Sequence, residues 1–100
     1  MASKYHWVIT QDRTTGAAHE TSATGTYGPS GTELTAEQIR RHPKAIAFQM
    51  CDGDGSVYYE GLYVGPDDET LFAPLDDYGM PNAGCTDIAY RDALGAWEWL

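Results

Sequence analysis

The stretch Asp52-Gly53-Asp54-Gly55-Ser56-Val57-Tyr58-Tyr59-Glu60-Gly61 decides how the rest of the chain is read. Its alternating carboxylates suggest a calcium loop, whereas Asp-Gly between apolar segments suggests a turn joining two strands. An EF-hand loop takes oxygen ligands at positions 1, 3 and 5. It also needs glycine at 6 for the sharp bend and glutamate at 12 to hold the cation with both oxygens. Counted from Asp52, the ligand positions hold Asp52, Asp54 and Ser56, but the sixth residue is Val57 and the twelfth is Tyr63. The flanks argue the same way. Ile46, Phe48 and Met50 alternate with Ala45, Ala47 and Gln49, and Val57, Tyr59 and Tyr63 alternate with Tyr58, Glu60, Leu62 and Val64. Period two is the signature of strands, not of the helices that flank an EF-hand. The stretch is therefore expected to be a hairpin, with a primed turn carrying positive φ at adjacent residues.

Working outward, Tyr5 to Thr10 is rich in β-formers and predicts a first strand. A polar segment follows, in which His19 to Tyr27 is expected as a second, poorly apolar strand, closed by the turn chemistry of Tyr27-Gly28-Pro29-Ser30-Gly31. One helix is expected at about 35–42. Thr35 and Gln38 form a capping-box pair, Glu37 and Arg40/Arg41 suit the helix dipole, and Pro43 forces a stop. Leu71-Phe72-Ala73 reads as a brief strand and Pro74 to Cys85 as a long loop. Residues 86–90 and 96–100 then read as a closing hairpin that turns at 92–95. A Met80–Pro81 bond can be cis or trans on sequence grounds. The expected fold is α+β and mostly β, a single domain over 1–100. Six to seven short strands form a small antiparallel sheet or half-open barrel with the one helix.

Composition bounds the function. The hundred residues carry a net charge of −9, with 42% apolar and 12% aromatic residues, a balance that favours a folded domain over a disordered one. The charge is unevenly placed. Residues 1–50 hold four acids and five bases, giving +1, and residues 51–100 hold eleven acids and only Arg91, giving −10. Such a surface repels nucleic acid and anionic membrane and attracts basic protein. No stretch is long and apolar enough to span a bilayer, and Met1-Ala2-Ser3-Lys4 lacks the apolar core of a signal peptide, so a cytoplasmic protein is expected. Cys51 and Cys85 are expected as reduced, buried thiols. No metal or cofactor is expected, because His6, His19 and His42 stand at no ligand spacing from either cysteine.

The candidate site is the acidic half itself: Asp52, Asp54, Asp67, Asp68, Asp76, Asp77 and Tyr78. The Asp76-Asp77-Tyr78 run lies in the long expected loop, where function concentrates. Catalysis by Cys85 with His6 or His42, or by the Asp76/Asp77 pair, has no support from spacing, and no enzyme is expected. Arg40, Arg41, His42 and Lys44 form too small a basic cluster for a nucleic-acid footprint.

Two motifs, Asp52 to Gly61 and Pro74-Leu75-Asp76-Asp77-Tyr78-Gly79-Met80-Pro81-Asn82-Ala83-Gly84-Cys85-Thr86, together with the aromatic first strand, carry a resemblance. The chain resembles a group of small bacterial proteins, often actinobacterial, to which no activity is attached. The resemblance implies a single domain and no particular chemistry. The expected function is a non-enzymatic binding or accessory module that engages a basic protein surface, in its sharpest form as a nucleic-acid mimic. The alternative is a ligand- or cation-binding domain using the 52–56 turn and the 74–85 loop. The exposed aromatics expected at Trp97, Trp99 and Tyr58 leave monomer and homodimer both open.

Overall fold

The computed structural model describes residues 4–13, 24–53 and 55–100. The expected hairpin is the middle of the molecule. Strand β3 (Ile46–Cys51) and strand β4 (Val57–Val64) pair antiparallel across the 52–56 loop. Strand β1 (His6–Asp12) lies on the far side of β4, and β2 (Tyr27–Gly28) pairs with β1. Beyond β3 come β5 (Asp87–Arg91) and β6 (Trp97–Trp99). The six strands run β2-β1-β4-β3-β5-β6, every neighbour antiparallel. The sheet is open, with β2 and β6 as its edges, so the half-open barrel is set aside. Of the expected second strand only Tyr27 belongs to β2, and 19–23 lie outside the described residues.

The turn at Asp52 departs from the expected primed type. Gly55 N–H donates to Asp52 C=O at 3.1 Å, Asp52 N–H donates to Ser56 C=O at 3.2 Å, and Gly55 has φ +88° while Gly53 does not reach positive φ. A longer loop, in which Gly55 is the left-handed residue among those described, replaces the two-residue turn. The β5–β6 hairpin repeats the device. Gly95 N–H donates to Asp92 C=O at 3.0 Å, Asp92 N–H donates to Ala96 C=O at 2.8 Å, and Gly95 has φ +86°. Both turns read Asp-x-x-Gly. In both, the aspartate side chain accepts from backbone N–H further along, Asp52 from Ser56, and Asp92 from Leu94 and Ala96.

Helix α1 (Ala36–Arg40) forms where expected. Thr35 Oγ1 accepts from Gln38 N–H, and the Gln38 side chain accepts from Thr35 N–H at 2.9 Å. Its single buried residue, Ile39, packs with Val8 and Val64 on one face of the sheet.

The main correction lies at 69–83, where the expected strand and loop are helical. A 3₁₀ turn (Glu69–Phe72) leads into a π-helical turn (Leu75–Gly79) and then helix α2 (Met80–Ala83). Pro81 has no N–H for the Asp77 carbonyl and its ring crowds that carbonyl. The wide turn accommodates this, with Met80 N–H donating five residues back to Leu75 C=O. Gly84, at φ +70°, ends α2, and Cys85 N–H closes on Gly79 C=O at 3.2 Å. Met80–Pro81 is trans; Gly28–Pro29 is the cis bond among the described residues.

This helical segment covers the other face of the sheet. Leu71, Leu75, Tyr78 and Ala83 pack onto Trp7, Ile9, Phe48, Met50, Tyr59, Tyr63, Ile88 and Tyr90. Tyr90 O–H donates to Leu71 C=O at 2.7 Å, and Tyr63 O–H donates to Pro66 C=O at 2.8 Å, so each buried hydroxyl keeps a partner while its ring fills the core. The result is three layers: segment 69–83, sheet, α1.

Candidate functional site

The sequence-predicted acids separate into two groups once their oxygens are traced. Asp68 is structural. Its Oδ1 accepts from Thr70 N–H at 2.8 Å and Thr70 Oγ1 at 2.6 Å, capping the 3₁₀ turn, and its Oδ2 meets Lys4 Nζ at 2.9 Å. The Thr70 hydroxyl and the Lys4 ammonium hold its carboxyl down from 3.8 to about 2. Asp52 uses one oxygen on Ser56 N–H and the other on Tyr58 O–H at 2.6 Å. Asp77 Oδ2 accepts from Tyr5 O–H at 2.8 Å and from Trp7 Nε1–H at 3.1 Å. Burial first, and then this bond, push the Tyr5 hydroxyl up to about 12.

Tyr78 is a packing residue. Its half-buried ring sits 5.6 Å from the Trp7 ring and 5.1 Å from the Tyr59 ring, the latter edge-on. Asp54 lies outside the described residues. Asp67 and Asp76 are exposed and make no ion pair among the described residues. Asp87 and Glu98, which the sequence reasoning passed over, share that state. The signal for Glu98 was available: in Trp97-Glu98-Trp99 the carboxylate points to the opposite face from both indoles.

The bases are differently placed. Lys4 pairs with Asp68, Arg13 with Glu60 at 2.7 Å, and Arg41 with Glu37 at 2.6 Å. Residues 67–83 hold five carboxylates and no base, whereas 35–44 hold three bases and one acid. Because these segments cover opposite faces of the sheet, the charge asymmetry along the chain becomes an asymmetry across the molecule. The acidic layer meets the β6 edge at a cleft of about 240 Å³. Ile46, Leu71 and Tyr90 form its apolar floor, and Asp67, Glu98 and Arg91 stand on its rim. A shallower groove of about 460 Å³ lies beside Trp7, Gly28, Pro29 and Asp77.

The remaining chemistry is dispersed. Cys51 and Cys85 are buried free thiols, and burial pushes Cys85 up to about 11. His6 is buried and bonds Thr32 Oγ1 through Nδ1, with Glu33 at 3.7 Å from Nε2. His42 Nδ1 accepts from Lys44 N–H at 3.1 Å. Both histidines thus bond partners other than Cys85, Asp76 and Asp77, and His19 lies outside the described residues. Among the described residues no three His, Cys, Asp or Glu side chains converge as metal ligands, and no helix is long and apolar enough to cross a membrane. Comparison with family models, curated proteins and solved structures finds no match to this chain.

Proposed function

We propose that this domain is a non-enzymatic binding module whose acidic layer engages a basic protein surface. The observation that carries the reading is the split of charge across the sheet: five carboxylates and no base in 67–83, against three bases and one acid in 35–44. Asp67 and Asp76 are exposed and free of ion pairs among the described residues, so neutralising them breaks no such pair. A field of one sign on one face steers a basic partner and orients it on arrival. The cation-binding alternative has less behind it, because Asp52 spends both oxygens on Ser56 and Tyr58 and Asp77 holds Tyr5 and Trp7. In its sharper form the module is a nucleic-acid mimic, its carboxylates standing where phosphates would. We place this role in a reducing, cytoplasmic setting, in which buried thiols persist unpaired.

The test is an amide-shift titration of isotope-labelled protein with polylysine, with polyglutamate as control. Saturable shifts at 67–79 that weaken as salt rises support the module. Uniform, non-saturating shifts with both polymers remove it. If it is a mimic, it also displaces duplex DNA from a basic DNA-binding domain in competition.

A further inference from the structure

Among the described residues strand β6 is an uncovered edge, and its geometry sorts its groups into two kinds. Asp92 N–H donates to Ala96 C=O and Leu100 N–H donates to Ile88 C=O, in the register that pairs Ala89 with Trp99, Tyr90 with Glu98 and Arg91 with Trp97. Antiparallel ladders alternate, so residues 96, 98 and 100 turn their backbone groups toward β5. The N–H and C=O groups of Trp97 and Trp99 therefore point outward, and no described strand receives them. Natural edges are usually guarded by charge, proline or a covering element. Here Trp97, Trp99 and Leu100 are 36%, 53% and 47% exposed, and Glu98 is the one charged residue among them.

Side chains sort as well. Ile88 and Tyr90 face the main core, so Ala89 and Arg91 leave the strand on the other side with their partners Trp99 and Trp97, although Arg91 also lines the cleft. Helix α1 makes its main contacts with β1 and β4, away from this β5–β6 end of the face. Glu98 points to the first face, onto the rim of the cleft floored by Leu71 and Tyr90, where Asp67, Asp92 and Glu98 outnumber the one base, Arg91.

We propose that β6 accepts an extended basic segment of a partner protein as a seventh strand, an inference that rests on the binding-module reading and assigns its docking edge. Backbone pairing runs along Trp97 and Trp99. The added strand turns alternate residues to opposite faces, so a lysine or arginine beside Glu98 lies against the acidic cleft while its neighbours lie on the two indoles. The charge decides the occupant. A second copy pairing symmetrically about Glu98 brings Glu98 opposite its own equivalent, a destabilising like-charge pair, on molecules that each carry −9. A basic strand meets the same carboxylate with the favourable sign.

The experiment titrates the protein with a short, end-blocked peptide alternating lysine and valine, reading indole and backbone shifts. Controls are the glutamate–valine peptide and a lysine–valine peptide N-methylated at alternate residues so that it cannot pair with an edge. Expected are saturable shifts at the Trp97 and Trp99 indoles and at residues 97–100, absent with both controls. Glu98→Lys is expected to weaken binding about tenfold while leaving the amide spectrum of the sheet unchanged. Shifts confined to 67–79 with β6 unmoved overturn the edge assignment and leave the acidic-module reading standing. No saturable binding of any basic peptide removes both. Undiminished binding of the N-methylated peptide shows that backbone pairing is not used, and a dimer in sedimentation that Trp99→Lys dissolves makes a second copy the occupant. Either result overturns the proposal.

Discussion

At Gly61 the sheet has room for nothing larger than hydrogen. A Cβ there would collide with the Val8 carbonyl and the Phe48 ring, on a strand held between two neighbours. Gly61→Ala is expected to cost about 3 kcal/mol, measured as a shift in the urea midpoint at unchanged slope. Asp68 gives a residue-scale prediction in pH. Its folded pKa lies below the ordinary value, so its contribution is present above 3.8 and fades as pH falls toward about 2. Asp68→Asn is expected to flatten the decline of the thermal midpoint across that interval; an unchanged acid limb would show that other carboxylates control it. Cys85, with its thiol held up to about 11, is expected to label with a disulfide reagent only as fast as the protein unfolds.

Among the elements, those whose local signals agree with their packing were legible. Thr35 and Gln38 announced α1, and Thr35→Ala, which removes the acceptor for Gln38 N–H, is expected to lower stability by about 1 kcal/mol in denaturant melts. The alternation of Ile46 to Met50 and of Val57 to Val64 announced β3 and β4, because one side of each strand is buried under the same core. Segment 69–83 was misread for a physical reason. Pro74, Gly79, Pro81 and Gly84 are the residues of loops, yet Pro74 and Pro81 fall where a helical turn can spare an N–H, and Gly79 lies so close to Met50 that a Cβ would sit 2.6 Å from its sulfur. Beneath that punctuation Leu71, Leu75, Gly79 and Ala83 recur at every fourth position, the helix spacing. The candidate site was legible only as a sum of charge. Asp52, Asp68 and Asp77 hold turns and aromatic hydroxyls, which composition cannot distinguish from Asp67 and Asp76, exposed and free of ion pairs among the described residues.

For the molecule as a whole, net charge sets a sign. The exposed ion pairs of Lys4, Arg13 and Arg41 each contribute little and weaken with salt. Self-repulsion among fifteen acids against six bases weakens too, and it acts throughout the surface. The thermal midpoint is therefore expected to rise between low and physiological ionic strength; a fall would mean that the ion pairs outweigh the repulsion. The strand order carries a consequence of another kind, for the sequence of events in folding. The innermost pair, β3 and β4, is joined by a connection as short as the one between β5 and β6, while β1 must return across the chain to reach β4. Loop closure favours both local hairpins, and β3–β4 buries far more of its side chains than the exposed β6, so the centre of the sheet can form early and the rest add outward. Amide exchange should then be slowest in β4 and quicken toward β6, whose outward amides at Trp97 and Trp99 exchange with the solvent. The strand assigned to receive a partner is exposed at all three residues and so the least firmly fastened, and a partner's arrival would complete a process that folding leaves open at that edge.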